Sequence, residues 1–233
     1  MLDARIVKAR REFIVDVSLQ LPSSEACGLF GVSGAGKSTI LACIAGAEEP
    51  DAGRIVLDAL TLFPPPLPLH LRPIGYLTQD AGLFPHLSVA ENVRFGLSNG
   101  KREAGDDAWV DQLRDRLDLA PFWNEPAQSI SGGQARRVAL ARMLARRPRL
   151  VLLDEPFNGL DRHLVRELIV AVAEWQRELG FTLLVVDHDA DVLSRLCPRV
   201  IAIERGCIVQ DGPWEALYAR PATELLARLL APL

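Results

Sequence analysis

Gly31-Val32-Ser33-Gly34-Ala35-Gly36-Lys37-Ser38-Thr39 carries the residue types, at the spacing, that cradle a run of phosphates. Its glycines permit a tight turn in which backbone N–H groups from about Gly34 to Ser38 converge on phosphate oxygens. A helix beginning near Lys37 adds its positive N-terminal end. Lys37 is placed to reach the β- and γ-phosphates, and the Ser38 hydroxyl to hold Mg²⁺. The first ligand this loop implies is therefore a nucleoside triphosphate. Asp154-Glu155 follows the apolar run Leu150 to Leu153. Two adjacent carboxylates at the end of a buried strand suit the same chemistry, Asp154 helping to hold the metal, directly or through water, and Glu155 accepting a proton from the attacking water or orienting it. Ser131-Gly132-Gly133-Gln134 opens a helical run from Ala135 to Arg146. With Ser131 as N-cap, its small residues and exposed N–H groups make a second anion site.

These groups need elements to hold them. Ala26 to Phe30, Leu150 to Leu153 and Thr182 to Val186 are apolar without alternation, as in parallel strands buried on both faces. Ile40, Leu41 and Ile44 recur at helical spacing after the loop, and Gly46 falls where that helix ends. A long helix is expected from about Arg162 to Leu179. The alternation in Phe13 to Leu19 and the short run Gly53 to Leu57 predict a flanking antiparallel sheet. Pro64 to Pro68 reads as a loop. From about residue 80 to 147 helical periodicity returns, broken by the polar Gly96-to-Asp107 segment and by Pro121 and Pro126. Val200 to Ile203 and Cys207 to Gln210, joined through Arg205-Gly206, form a terminal hairpin, and Thr223 to Leu230 looks helical. The expected fold is α/β, a P-loop NTPase with a mixed β core, a flanking antiparallel β subdomain and a helical subdomain inserted at about 80–147 of a single 1–233 domain.

Composition narrows the function classes. A net charge of −4 over 233 residues gives no overall basic field, so nucleic acid is not expected as a main partner. With 49% hydrophobic and 24% charged residues the chain is globular, and its longest apolar run is too short to span a membrane. Met1 to Arg5 lacks the apolar core of a signal peptide, and Cys27, Cys43, Cys197 and Cys207 lack metal-ligand spacing. All four are expected to be reduced core thiols of a cytosolic protein.

Ile130-Ser131-Gly132-Gly133-Gln134 resembles the signature motif of ATP-binding cassette (ABC) ATPases and stands between the phosphate loop and the Asp154-Glu155 strand, as in that family. Gln79 resembles the Q-loop glutamine that senses Mg²⁺ and the γ-phosphate. Asn158-Gly159-Leu160-Asp161 resembles the D-loop, His188 the switch histidine that contacts the γ-phosphate, and Phe13 the aromatic that stacks on adenine. The resemblance covers essentially the entire chain. It implies ATP and Mg²⁺ as ligands, and hydrolysis in a head-to-tail homodimer, or a pairing with a second cassette, with each ATP between one phosphate loop and the other chain's Ser131–Gly133. It further implies integral-membrane permease subunits, met through a groove for which Leu83-Phe84-Pro85-His86-Leu87 is the candidate. A periplasmic or extracellular substrate-binding protein acts indirectly, and the chain itself lies on the cytoplasmic face of the membrane. Phe30 to Ser38 and Gln79 to His86 are most similar to molybdate-importer ATPases, which commonly carry a further C-terminal oxyanion-binding domain. The sequence ends at Leu233 without one, so regulation by bound substrate is not expected. Asn158-Gly159 stands where the family more often has Ser-Ala, and Asp187 where Ser or Thr is usual. Importers of thiamine, iron or sulfate are alternatives, as is a soluble non-transport ABC ATPase.

Overall fold

The computed structural model describes residues 1–97 and 104–231. It begins with a hairpin, β1 (Leu2–Ala9) and β2 (Ile14–Leu21), paired antiparallel from Leu2↔Leu21 to Ala9↔Ile14. Every second residue of β2 is buried, the signature of a sheet with one solvated face. After β3 (Ala26–Phe30), α1 (Lys37–Ala45) stops at Gly46, whose φ of 85° is the left-handed conformation of a helix C-terminus. β4 (Ala52–Leu57) and β5 (Leu60–Phe63) extend the first sheet to the order β2-β1-β4-β5.

The second sheet adds β6 (Ile74–Leu77), β7 (Leu150–Asp154), β8 (Thr182–Val186), β9 (Arg199–Glu204) and β10 (Cys207–Pro213) in the order β10-β9-β3-β8-β7-β6. All its neighbours are parallel except the terminal hairpin β9-β10. The unbroken apolar runs of β7 and β8 are explained by two cores. Val151, Leu153, Leu183 and Val185 face a core shared with the helices of the 89–179 region; Leu150, Leu152, Leu184 and Val186 face a core shared with α1 and the antiparallel sheet. Both sets are buried, so alternation of side-chain direction leaves neither strand a solvated face.

Between β6 and β7 lie α2 (Val89–Phe95), α3 (Asp106–Arg116) and α4 (Gly132–Leu144). The polar interruption expected at Gly96 to Asp107 ends earlier, because α3 already starts at Asp106; residues 98–103 lie outside the described part. Pro121 opens a short 3₁₀ turn, 120–122, where its missing N–H costs nothing. α4 starts at Gly132 rather than at Ala135. Ser131 Oγ accepts from the Gln134 N–H at 3.3 Å, Gln134 Oε1 accepts from the Ser131 N–H at 2.8 Å, and this reciprocal cap draws both glycines into the helix. α5 (Arg162–Leu179) buries Leu168, Ile169, Val172 and Trp175 along one face, and α6 (Ala190–Leu196), α7 (Trp214–Ala219) and α8 (Glu224–Leu230) complete the chain.

Two buried details depart from expectation. Cys27, Cys43 and Cys197 are buried, but Cys207 is exposed, because it begins the edge strand β10. Arg72 is 3% exposed and donates to Cys43 O at 3.3 Å, Ile44 O at 2.7 Å, Leu62 O at 3.1 Å and Leu67 O at 2.8 Å. It latches the C-terminal turn of α1 to the Pro64–Pro68 loop, giving the Ile44 carbonyl its donor and Cys43 O a second one beside the Gly46 N–H.

Candidate functional site

β3 ends against the phosphate loop, and the loop is held by sterics that only glycine satisfies. A Cβ on Gly31, at φ 152°, would lie 2.3 Å from Ile203 O; one on Gly36, at φ 104°, would lie 2.9 Å from Val15 Cγ2 and 3.3 Å from the Phe13 ring. Gly206 N donates to Ala35 O at 2.9 Å, so the β9-β10 turn braces the loop from behind. The first intrahelical bond of α1 is Ile40 N to Gly36 O at 3.1 Å, and Gly36 offers no side-chain cap. The N–H groups of Lys37, Ser38 and Thr39 thus precede the helical ladder and point at the mouth of a cleft of about 450 Å³. Phe13, Ser33, Gly34, Gly36, Lys37, Ser38, Thr39, Gln79 and Glu155 line that cleft together with Arg10, Arg11 and Glu12.

Lys37 is 5% exposed and its Nζ donates to Gly31 O at 2.7 Å and Val32 O at 2.9 Å. Burial pushes its ammonium below the usual lysine range, opposed by the fields of Glu155, Asp154 and Asp187. Among the described residues the hydrogen-bond acceptors of this ammonium are two neutral carbonyls of its own loop, which phosphate oxygens can replace. Ser38 Oγ donates to Asp154 Oδ1 at 3.0 Å. Burial raises the Asp154 carboxyl above its ordinary range; the Ser38 hydroxyl opposes this, Glu155 adds to it, and Lys37 and Arg136 oppose it. Beside them burial and Asp154 push the Tyr76 phenol up to about 12.

Glu155 sits one residue past β7 with φ 46°, a left-handed conformation that is costly for a residue with a Cβ, and its N–H donates to Val186 O at 2.9 Å. Its Oε2 accepts from Gln79 Nε2 at 2.6 Å and from Asn158 Nδ2 at 3.4 Å. Ser38 hydroxyl, Asp154 carboxylate and the Gln79 amide form an all-oxygen donor set of the kind Mg²⁺ takes alongside water and phosphate, so the residues present fit that ion. Among the described residues no cluster of three or more His, Cys, Asp and Glu side chains forms a metal cage.

The remaining sequence candidates lie elsewhere. His188 is 59% exposed and borders a neighbouring cleft with Phe157, Asn158, Gly159 and Asp187, apart from the phosphate loop. Asp187, the departure before it, is buried and its Oδ1 accepts from the His188 and Asp189 N–H groups at 2.8 and 3.0 Å, shaping the turn after β8. Asp161 caps α5 through its Oδ1, which accepts from His163 N and Leu164 N at 3.0 Å. Ser131 and Gly132 are exposed at the start of α4, and a Cβ on Gly133 would press Leu164 at 3.1 Å. Leu83 to Leu87 is half-exposed and not buried core; Phe84 packs on Phe95 at 4.5 Å between centroids and, with Arg142 and Met143, lines a groove of about 380 Å³.

Two residues at this site escaped the sequence reading. Arg10 donates to Thr39 Oγ1 at 3.0 and 2.7 Å and pairs with Glu48 at 2.5 Å, closing the outer wall of the cleft. Arg136 is buried on α4 in line with Leu140 and Met143, and a cation at helical spacing in an apolar stripe is the signal that marks it.

This arrangement matches a known family model, that of the ABC transporter, over residues 14–158. The chain belongs to the ABC transporter family. Curated members similar to it include the putrescine transport ATP-binding protein PotG of Escherichia coli (38% identity over 92% of this chain), the Fe(3+) ions import ATP-binding protein FbpC of Pseudomonas fluorescens (42% over 89%) and the molybdenum import ATP-binding protein ModC of Methylococcus capsulatus (38% over 89%). The chain spans only 57%, 59% and 58% of the length of these relatives. Among solved structures it resembles the dimeric ATP-binding cassette MJ0796 bound to ADP and Pi in a post-hydrolysis state, at 26% identity and TM-score 0.80 over 91% of this chain and 98% of that one. It also resembles cbiO1 of Clostridium perfringens, part of the complex cbiONQ, at 26% identity and TM-score 0.78 over 95% and 91%. The cassette fold is thereby established. Among the described residues no helix is long and apolar enough to cross a membrane.

Proposed function

We propose that this chain is the ATP-hydrolysing subunit of an ABC importer, working as a head-to-tail dimer against permease subunits on the cytoplasmic face of the membrane. The observation that carries the reading is that one cleft is lined by a phosphate loop with a buried lysine, by Ser38 with Asp154 bonded behind it, and by the Gln79–Glu155 pair. In it, the α1 N–H groups and Lys37 bind the β- and γ-phosphates, Lys37 giving up its loop carbonyls for phosphate oxygens. Ser38, Asp154 and Gln79 hold Mg²⁺, which when bound neutralises charge on the phosphates. Glu155 takes the proton of the attacking water, and its bond to Gln79 keeps the carboxylate turned into the cleft. Phe13, already against the loop, is the platform for adenine. Ser131, Gly132, Gly133, Gln134 and Asp161 stand outside this cleft because they serve the partner's nucleotide, and His188 reaches the γ-phosphate when the two faces close.

For the cargo, the stretches Phe30–Ser38 and Gln79–His86 favour molybdate or a related oxyanion delivered by an external binding protein. The 42% identity to an iron-import ATPase makes Fe(3+) the second reading. Uptake of each ion by vesicles carrying the reconstituted complex separates the two. The core proposal is checked with Glu155→Gln, which should bind ATP, form a dimer on size exclusion with saturating Mg²⁺-ATP, and lose turnover. A monomeric Glu155→Gln chain as active as the wild type would remove both the base and the dimer.

A further inference from the structure

Arg136 extends from the second turn of α4 into the interior, where it is 6% exposed. Its guanidinium donates to four backbone carbonyls: Thr78 O at 2.7 Å and Gln79 O at 2.8 Å on one side, Glu155 O at 2.7 Å and Pro156 O at 2.7 Å on the other. Those carbonyls belong to the two turns whose side chains, Gln79 and Glu155, meet at 2.6 Å in the cleft. The Glu155 peptide is consequently gripped at both ends, its N–H by Val186 and its C=O by Arg136. A non-glycine residue at φ 46° persists only where its surroundings over-determine it, and Arg136 is one of the groups that supply that constraint.

Resting on the reading of this cleft as an ATPase site, we infer that Arg136 is a positioning residue for hydrolysis, holding the Gln79 turn and the Glu155 turn at the separation that aims Glu155 at the attacking water. The planar fork is what the task requires. Its donors diverge in fixed directions toward two separate turns, whereas a lysine ammonium presents three donors from one point and can serve one turn or the other. Burial depresses the guanidinium below its ordinary range, with Asp80, Asp154 and Glu155 opposing.

The test uses the purified chain with Mg²⁺-ATP and three variants, Arg136→Lys, Arg136→Gln and Arg136→Gln combined with Glu155→Gln. A misplacement of about 1 Å should lower kcat about tenfold to hundredfold while KM and the affinity for a fluorescent ATP analogue stay within about threefold. Because Arg136 acts through Glu155, the double variant should be no slower than Glu155→Gln alone. Arg136→Lys keeps a cation and most of the volume, so it carries the test should Arg136→Gln fail to fold. Wild-type kcat in Arg136→Lys would overturn the inference, as would kcat and analogue affinity falling together, or losses that add in the double variant. Wild-type turnover in Glu155→Gln would instead overturn the parent reading.

Discussion

Ser131 is asked to do two things that a substitution can separate. In the isolated chain it caps α4, accepting from the Gln134 N–H at 3.3 Å; across the proposed dimer its hydroxyl donates to the partner's γ-phosphate. Ser131→Ala removes the first bond but leaves its reciprocal partner, in which Gln134 Oε1 accepts from the residue 131 N–H at 2.8 Å. A long cap bond with its reciprocal partner left intact puts the cost at the low end of cap deletions, about 0.5–1 kcal/mol. For a chain of this size that lowers Tm by about 1–4 °C. The catalytic loss should be far larger, ~10²–10³ in kcat, the scale of one preorganised donor to developing negative charge. Ser131→Asp sharpens the contrast. Aspartate caps as well as serine and favours the positive end of α4, so Tm should hold or rise, yet its charge faces phosphate and turnover should disappear. Melting curves and steady-state ATPase rates on the three proteins make the comparison. If Ser131→Ala melts lower but hydrolyses at the wild-type rate, or Ser131→Asp stays active, Ser131 is a cap and nothing more.

Phe13→Ala should weaken binding of a fluorescent ATP analogue roughly 5- to 150-fold, from the ~1–3 kcal/mol of base–aromatic stacking, while Phe13→Trp retains most affinity; equal affinities in folded variants would leave Phe13 as packing for Gly36. Asp187 gives a pH signature. Burial raises its carboxyl, against its backbone N–H bonds and His188, with Asp189 adding to the rise. The native state then holds this proton at pH values where the unfolded chain has released it. The contribution is present below the ordinary carboxylate range and is lost as pH climbs through the raised native value. Urea unfolding from about pH 4 to about pH 7 should show Asp187→Asn losing less stability than the wild type over that interval, and parallel curves would refute it.

The strands that carry the site were legible because burial on both faces writes itself as an uninterrupted apolar run, as in Leu150–Leu153 and Thr182–Val186. β6 was not. It has four residues, contains Gly75, and becomes a strand through pairing with β7 and contact with Met143, information held 70 residues away in the chain. The loop and the acidic pair were legible from types and spacing, yet the placement of His188 outside the phosphate cleft was not, since spacing fixes the turn but not the direction of an exposed side chain. For Arg136 the helical spacing with Leu140 and Met143 could mark a buried cation but not its role, because its partners are main-chain carbonyls, which every residue possesses and no motif records.

Arg72 shows what that implies for how such a sequence can drift. A side chain that addresses only carbonyls recognises the path of the backbone and is indifferent to the letters along it. The latch itself therefore sets no requirement on the side chains of residues 62–67 beyond what their own packing demands; at the end of α1 it asks only that Gly46 stay without a Cβ, which would lie 2.4 Å from the guanidinium carbon, and the arginine has no substitute with the same reach. The latch would survive extensive divergence without leaving a matched pair of changes behind, so a search for correlated substitutions would find Arg72 solitary at the place where it holds most.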